Sequence, residues 1–167
     1  MTKSLLAIIV VGLSLIVPVD AQRKTIILVR HAEKDASETA DKNDPVLTEA
    51  GRRRAERLAN VIKRYKPGAI YSTDYKRTRD TAAPIAERRK KQIQIYDARK
   101  PQELIDAIMK SRTKRFLIVG HSNTIPGLAN MLGKKELFKN LDDSEHGAIW
   151  IVRIEDGQVR KTEIIPY

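Results

Sequence analysis

Short apolar runs alternate with longer amphipathic stretches along this chain. The apolar runs predict strands over residues 25–29, 69–71, 92–96 and 115–120. Each run is followed by a stretch in which apolar residues recur at helical spacing. Strands that alternate with helices in this way build a parallel sheet with helices against it. We therefore expect an α/β fold, a three-layer sandwich in which helices cover both faces of a mostly parallel central sheet.

Single residues predict where several of these elements begin and end. Thr48 should cap the first helix, and Pro101 should open the third. Pro84 should end or kink the second helix, because proline lacks an N–H and crowds the preceding turn. Gly133 should end the fourth helix. Near the end of the chain, an Asp-Gly pair at 156–157 between two apolar runs predicts a hairpin that completes the sheet with an antiparallel or edge pair.

The first 21 residues have the pattern of a secretory signal. Lys3 gives a basic start, residues 5–17 are apolar or small, and Pro18 precedes small or aliphatic residues that end at Ala21. The apolar stretch is shorter than the roughly 20 residues that a spanning helix needs. We expect residues 1–21 to be a signal peptide and residues 22–167 to be an exported domain, periplasmic or secreted. The alternative is an uncleaved membrane anchor formed by residues 5–17.

The composition limits the classes of function. With 167 residues, of which 41% are hydrophobic and 32% charged, the chain suits one globular domain. It has no cysteine, which excludes disulfides, a thiolate nucleophile and a cysteine zinc site. A net charge of +11 favours anionic partners: a small phosphorylated substrate, acidic lipid headgroups or nucleic acid. An aromatic content of 5% and the lack of a binding motif argue against nucleic acid, and association with an anionic membrane surface stays open. The sequence does not indicate the oligomeric state.

Two of the three histidines directly follow predicted core strands. His31 comes after the apolar run 25–29 and Arg30, and His121 comes after the run 115–120. Side chains at the carboxyl ends of strands meet in the ligand-binding crevice of an open α/β sheet. Together with Glu33, the two histidines could supply metal ligands, but the neighbouring arginine would repel a cation. Its planar guanidinium instead suits an oxyanion, so we expect neither a metal nor a cofactor.

Four motifs resemble those of the histidine phosphatase superfamily, which includes the cofactor-dependent phosphoglycerate mutases. The motifs are Arg30-His31-Ala32-Glu33 and the segments 44–51, 71–82 and 120–123. The resemblance implies a phosphoglycerate mutase-like fold. Ala32 replaces the glycine of the family's Arg-His-Gly signature; its methyl group could narrow the pocket and is not expected to inactivate the site.

The resemblance also implies roles for individual residues. His31 would be the nucleophile that forms a phosphohistidine, which water then hydrolyses. Arg30, Arg77 and a protonated His121 would surround the transferred phosphoryl group without a metal ion. Two neutral donors, Ser122 and Asn123, would add hydrogen bonds to the substrate.

The general acid that protonates the leaving group stays open. The candidates are Glu33, Asp97, Glu103 and the acidic residues within 142–145. We place Glu33 among the catalytic residues only because it lies two positions from the expected nucleophile.

The leading functional hypothesis is an exported phosphatase that hydrolyses a phosphomonoester through a phosphohistidine intermediate. One alternative is a phosphohistidine protein phosphatase, and another is a non-catalytic module that binds phosphate. The physiological substrate would be selected by the loops 34–44 and 134–147, whose conformations the sequence does not predict.

Overall fold

The computed structural model describes residues 22–167, so the predicted signal peptide lies outside the described residues. These residues form six strands and four helices, and a 3-10 turn at Lys63–Tyr65 follows the first helix. The strands are β1 (Arg23–Arg30), β2 (Ala69–Ser72), β3 (Ile93–Ile95), β4 (Arg115–Gly120), β5 (Ala148–Glu155) and β6 (Gln158–Pro166). The helices are α1 (Glu49–Ile62), α2 (Lys76–Arg89), α3 (Pro101–Lys110) and α4 (Thr124–Gly133).

All six strands belong to one sheet, in the order β3-β2-β4-β1-β5-β6. The first four strands of this order are parallel, and β5 and β6 add an antiparallel pair at one side. Strand β1 is therefore central, with β4 parallel on one flank and β5 antiparallel on the other. The expected α/β fold with a mostly parallel sheet is confirmed.

The two faces of the sheet carry separate cores. Ile26 and Leu28 of β1 pack with the apolar sides of α3 and α4, whereas Ile27 and Val29 pack with those of α1 and α2. Each of these four β1 residues is completely buried. Because successive side chains of a strand point to opposite faces, a strand covered on both sides has to be apolar throughout. The three-layer arrangement thus explains the unbroken apolar run of β1.

Most of the predicted helix boundaries are confirmed. Thr48 caps α1, with its Oγ1 accepting a hydrogen bond from the Gly51 N–H at 3.0 Å. Pro101 opens α3. Helix α2 does not end at Pro84 but continues to Arg89, because the residues beyond the proline, Ile85 and Ala86, are buried in the core and this packing offsets the lost hydrogen bond.

Three helical segments end in a lysine with left-handed backbone conformation, where glycine is the usual residue. The φ angles are 46° at Lys66, after the 3-10 turn, 51° at Lys90, after α2, and 52° at Lys134, after α4. Helix α4 does end at Gly133 as predicted, but the left-handed residue is the lysine that follows it.

The predicted hairpin is confirmed as the β5–β6 turn. Asp156 and Gly157 have φ angles of 51° and 74°, and positive values at both central residues match the twist of the flanking strands. Within residues 22–167, no helix has the length and apolar character needed to cross a bilayer.

Candidate active site

The register of the sheet places the two strand-end histidines side by side. Strands β1 and β4 are parallel neighbours in which Arg30 lies opposite Gly120, and the His31 N–H donates to the Gly120 carbonyl at 2.9 Å. The rings of His31 and His121 follow directly and meet edge to face, with centroids 5.4 Å apart. The structure therefore brings together the residues that the sequence placed at one crevice.

His31 is held in the tautomer that suits a nucleophile. Its Nδ1 lies 2.8 Å from the Ala32 carbonyl oxygen. Because a carbonyl only accepts hydrogen bonds, Nδ1 carries the proton and the lone pair is on Nε2. The ring is 4% exposed. Burial, together with the charges of His121, Arg77 and Arg30, lowers the pKa of His31 to about 3. The hydrogen bond to Ala32 raises the pKa and offsets only part of this shift. At neutral pH the ring is neutral and nucleophilic.

Arg30 is held by a loop distant in sequence. Its Nη1 donates to the carbonyls of Asp142, at 2.5 Å, and Glu145, at 3.1 Å. Its Nη2 lies 3.4 Å from the Asp143 carboxylate, which itself is fully exposed. Burial lowers the pKa of Arg30, and the neighbouring Asp143 and Glu145 oppose that shift. These contacts fix Arg30 at the cavity that His31 also lines.

Arg77 approaches the site from the first turn of α2. Its guanidinium carbon lies 4.3 Å from the ring centroid of Tyr75, whose edge contact with His121 has a centroid distance of 5.2 Å. The Nε atoms of Arg30 and Arg77 are both buried without a hydrogen-bond partner among the described residues. Two arginines with unused donor capacity beside a nucleophile suit an oxyanion ligand.

A chain of hydroxyl groups orients His121. The His121 Nε2 lies 2.9 Å from Thr73 Oγ1, which lies 3.0 Å from Thr78 Oγ1. Thr78 Oγ1 in turn donates to the carbonyls of Thr73, at 2.9 Å, and Tyr75, at 2.8 Å. Since the Thr78 proton serves these carbonyls, Thr73 must donate to Thr78, and His121 Nε2 must donate to Thr73. The neutral His121 ring therefore carries its proton on Nε2, and Nδ1 has the lone pair.

The protonation of His121 depends on whether an anion is bound. Burial, followed by the charges of Arg77, Arg30 and Lys34, lowers the pKa of His121 to about 4. Its ring is therefore neutral at neutral pH in the protein without a bound anion, whereas the expected protonated form concerns the site that holds a phosphoryl group. A phosphate group would offset the surrounding cations and favour the protonated form.

These side chains line a cavity of about 360 Å³. The residues predicted to surround the phosphoryl group are among its walls: Arg30, His31, Arg77, His121, Ser122 and Asn123. A second cavity of about 530 Å³ adjoins it and shares Tyr75 and Ala98 as lining residues. The site thus has a cationic part beside a larger mixed part that contains Ile95, Asp97 and Arg99.

Glu33 is not in this cavity, and we correct its expected role. Its carboxylate accepts hydrogen bonds from Arg54 Nε at 2.8 and 2.9 Å and lies 2.7 Å from Arg54 Nη2. Those hydrogen bonds lower the pKa of Glu33 and favour the charged form. An ionised carboxylate held by an arginine outside the cavity does not suit a proton donor. Its backbone explains its place in the sequence motif, because the Glu33 carbonyl accepts the Thr48 N–H at 2.9 Å and so connects β1 to α1.

The other candidates for the general acid differ in position. Asp97 lines the adjoining cavity, where Arg99 binds it at 3.1 Å and lowers its pKa. Glu103 is exposed on α3 and pairs with Lys100 at 3.2 Å. Of the acidic residues in 142–145, Asp143 lines the cavity of the histidines, and it is the only carboxylate that does so within residues 22–167.

The methyl group of Ala32 does not narrow the cavity. Ala32 is completely buried in a small cluster with Leu47 and Ala55. Its N–H donates to Thr81 Oγ1 at 2.9 Å, which joins the first sequence motif to the Thr-Ala of the second. The alanine is therefore accommodated beneath the site.

Sequence reasoning missed several residues of the site. Thr73, Tyr75 and Lys34 contact the histidines or line the cavity, although they stood inside or beside the quoted motifs. His146 donates from Nδ1 to the His31 carbonyl at 2.9 Å. Only Thr73 had a signal in the pattern of predicted strands, because it comes two residues after the strand predicted over 69–71, as His31 does after the strand over 25–29.

The site shows no donor set for a metal. Within residues 22–167, no three His, Asp or Glu side chains converge as metal ligands would. The arrangement instead combines a neutral nucleophilic imidazole, a second imidazole held by a chain of hydroxyl groups, and two arginines. Such a site can accept a phosphoryl group on nitrogen while cations stabilise its oxygens.

Comparisons with known proteins agree with this geometry. Residues 26–103 match the family model described as the histidine phosphatase superfamily, branch 1. No curated protein matches the chain significantly.

Several solved structures share the fold. One is a protein assigned as an alpha-ribazole-5'-P phosphatase from Escherichia coli, with a TM-score of 0.72, 12% identity, and coverage of 86% of this chain and 96% of that chain. Another is a protein assigned as the phosphohistidine phosphatase SixA from Agrobacterium tumefaciens, with a TM-score of 0.66, 22% identity, and coverage of 86% and 99%. A mycobacterial glucosyl-3-phosphoglycerate phosphatase has a TM-score of 0.66, 16% identity, and coverage of 86% and 98%. At these identities the likeness establishes the fold.

Proposed function

Because this chain belongs to the histidine phosphatase superfamily across residues 26–103, we propose that it hydrolyses a phosphomonoester through a phosphohistidine on His31. The observation that carries the proposal is the hydrogen bond from His31 Nδ1 to the Ala32 carbonyl, 2.8 Å long. It leaves Nε2 as an unprotonated nucleophile in a cavity lined by two arginines. A module that only binds phosphate would not need this tautomer.

The proposed reaction has two steps. His31 Nε2 attacks phosphorus, so that a P–N bond forms while the ester P–O bond breaks and the leaving oxygen takes a proton. Water then attacks phosphorus, the P–N bond breaks, and neutral His31 and inorganic phosphate are released. Arg30 and Arg77 stabilise the charge on the phosphoryl oxygens in both steps. His121 gains a proton on Nδ1 when the anion binds and becomes a further donor to it.

Asp143 is our choice for the proton donor, since it is the carboxyl group that lines the cavity. A donor matters most for a poor leaving group. We expect Asp143→Asn to slow hydrolysis of an alkyl phosphate by roughly 10²–10³-fold and to change hydrolysis of p-nitrophenyl phosphate only a few-fold. Equal losses on both esters would contradict this role.

The leaving group of the substrate would occupy the adjoining cavity, which begins at Tyr75 and Ala98. At about 530 Å³ this cavity has room for a small organic group. Its walls combine the exposed Ile95 with the Asp97–Arg99 ion pair. A small phosphorylated metabolite fits both cavities.

Rapid-quench labelling tests the proposal directly. The chain is mixed with a labelled aryl phosphate and quenched in base, and the label is mapped by mass spectrometry. We expect an acid-labile phosphohistidine at His31, absent from His31→Ala with an unchanged circular dichroism spectrum. Phosphate binding without label, or turnover that survives His31→Ala, would overturn the proposal.

A phosphohistidine protein phosphatase is the second candidate. The observation that favours it is exposure around the cavity, because Asn123, Asp143 and Arg99 are open to a large partner. A peptide that carries phosphohistidine, compared with small alkyl and aryl phosphates in the same assay, separates the two candidates by their kcat/KM.

We also propose that the protein is exported, on the sequence pattern of residues 1–21 alone. Expression with a carboxyl-terminal tag in a bacterium, followed by fractionation, tests this. Mass spectrometry of the exported form should show a chain that begins at Gln22. An intact amino terminus in a membrane fraction would favour the anchor formed by residues 5–17.

A further inference from the structure

The edge of the sheet opposite the candidate active site gathers many exposed basic side chains. The parallel strands start at this edge, helices α1 to α4 end there, and the β5–β6 turn lies there as well. We define the amino-edge basic surface as Arg23 together with the exposed lysines and arginines of 63–66, 88–91, 110–115, 134–135 and 160–161.

Direct contacts join these segments into one surface. The Gly68 N–H donates to the Arg115 carbonyl at 2.8 Å, and Arg89 Nε donates to the Pro67 carbonyl at 3.2 Å. Residues 132–135 line a common cleft with residues 157–162. These two groups meet at the start of β1, where Lys24 Nζ donates to the Ser111 carbonyl at 2.6 Å and Arg23 and Arg160 both pair with Glu155. The basic segments are therefore neighbours in space as well as in topology.

Helix dipoles account for only part of this charge. The macrodipole favours basic residues in the last turn of a helix. This preference accounts for Arg88, Arg89 and Lys110. The pairs 90–91 and 160–161 and the segment 112–115 lie beyond helix ends. Six acidic residues lie among these cations or pair with them and neutralise part of the charge, namely Glu56, Glu87, Glu136, Glu155, Asp156 and Glu163. A strong positive excess is left.

This surface is too far from the cavity to draw substrate into it. The eight residues of β1 separate the two edges by about 26 Å, at ~3.3 Å for each residue. Charges at a surface are screened over about 8 Å at physiological ionic strength. The amino-edge basic surface therefore does not act by steering substrate to the cavity.

We propose that the amino-edge basic surface binds the headgroups of an anionic phospholipid bilayer and directs the active site away from it. The described chain begins at Gln22 on this same edge, directly after a sequence that is apolar over residues 5–17. A flat membrane can meet several strand and helix ends at once. Nucleic acid is disfavoured, because Tyr75, the one large exposed aromatic side chain within residues 22–167, is at the opposite edge and could not stack with bases here.

Matched charge variants of the full chain test the proposal. The surface variant is Lys63→Gln, Lys91→Gln, Lys135→Gln; the control is Lys42→Gln, Arg53→Gln, Lys100→Gln, with the same net charge. Co-sedimentation is measured with vesicles of phosphatidylcholine alone and with about a third phosphatidylglycerol added. Each basic residue near an anionic membrane contributes about fivefold in affinity. We expect the surface variant to lose roughly 10²-fold on the anionic vesicles only, and the control a few-fold at most.

Three outcomes would overturn the proposal. Equal losses in both variants would mean that net charge alone attracts the protein to lipid. An unchanged surface variant would mean that the apolar sequence accounts for all binding. Tighter binding of a single-stranded oligonucleotide than of anionic vesicles at the same salt concentration would make nucleic acid the partner. Hydrolysis of p-nitrophenyl phosphate, measured alongside, reports whether each variant is folded, so that none of these outcomes depends on the proposed substrate.

Discussion

At the carboxyl ends of the strands, Arg30 is 3% exposed and Arg77 is half-buried, whereas at the amino ends Lys63, Lys91 and Lys135 are exposed. Both edges are rich in cations, but burial changes what the cations do. Burial of the rings and, after it, the charges of these arginines lower the pKa of His31 and His121, and each arginine retains an unused Nε–H donor. The exposed lysines are screened by water and salt. The comparison separates cations that contribute to chemistry from cations that contribute to attraction at a surface.

Substitution of Arg77 should have the largest effect. Arg77→Gln removes the guanidinium that lies beside Tyr75 and His121. Loss of one preorganised donor to the transition state costs about 10²–10³-fold in rate. We expect kcat/KM for p-nitrophenyl phosphate to fall by that factor, and the pKa of His121 to rise because one cation is gone. Lys63→Gln is the matched control at the other edge. A loss of less than about fivefold in Arg77→Gln would mean that burial gives this arginine no special role.

Acidification should destabilise the protein through the same histidines. The pKa values of His31 and His121, about 3 and about 4, lie below the value of 6.5 of an unperturbed histidine. Between these values the unfolded chain binds more protons, so stability is lost as the pH falls below 6.5. At pH 5 the loss is roughly 2 kcal/mol for each histidine, or about 4–8 °C in Tm.

Thermal unfolding at pH 7 and pH 5 checks this sign. The difference in Tm should shrink in His121→Gln, and it should shrink in the wild type when phosphate is added, because the anion favours protonated His121. The same difference in Tm in all three samples would refute the link between the lowered pKa of His121 and the loss of stability in acid.

The hydroxyl chain behind His121 should contribute less than the arginine. Thr73→Val keeps the shape but leaves the Nε2–H of His121 buried without an acceptor, which corresponds to about tenfold in kcat. Thr73→Ser retains the hydroxyl and should restore kcat. Thr78→Val should free the Thr73 proton to donate to Nε2 and move the ring proton to Nδ1. Long-range ¹⁵N–¹H NMR of His121 distinguishes these tautomers. An unchanged tautomer in Thr78→Val would contradict the direction assigned to the hydrogen bonds through Thr73 and Thr78.

Removal of exposed lysines at the other edge should have the smallest effect on catalysis. The triple variant of Lys63, Lys91 and Lys135 should keep kcat/KM within about twofold, because the distance of about 26 Å exceeds the screening length of about 8 Å. The salt dependence of kcat/KM should also match that of the wild type. A marked fall in kcat/KM at low salt would show that this edge does steer substrate.

The sequence was sufficient for the parts of the site that depend on strand ends. An apolar run followed by a polar residue predicts a side chain at the carboxyl edge, which located His31 and His121. Contacts between distant loops have no such pattern. Arg30 donates to carbonyls more than 110 positions later in the chain, and no local signal marks those acceptors.

Proximity in sequence misled the assignment of Glu33. Two residues beyond the nucleophile, the chain has already turned toward α1, and Glu33 pairs with Arg54 of that helix. Asp143, by contrast, reaches the cavity only because its loop folds back over Arg30. The course of the helix through Pro84 was likewise unpredictable, since it depends on packing of Ile85 and Ala86 against another element.

The left-handed lysines at positions 66, 90 and 134 imply a trade between backbone strain and charge. A residue with a side chain in this conformation is less stable than glycine by about 1–2 kcal/mol. All three positions belong to the amino-edge basic surface, and at each of them glycine would relax the backbone while it removed a cation. The chain thus keeps three cations at a conformational cost that its internal packing does not require. Lysine at these positions lowers the stability of the protein alone but supplies positive charge for the proposed binding to lipid headgroups.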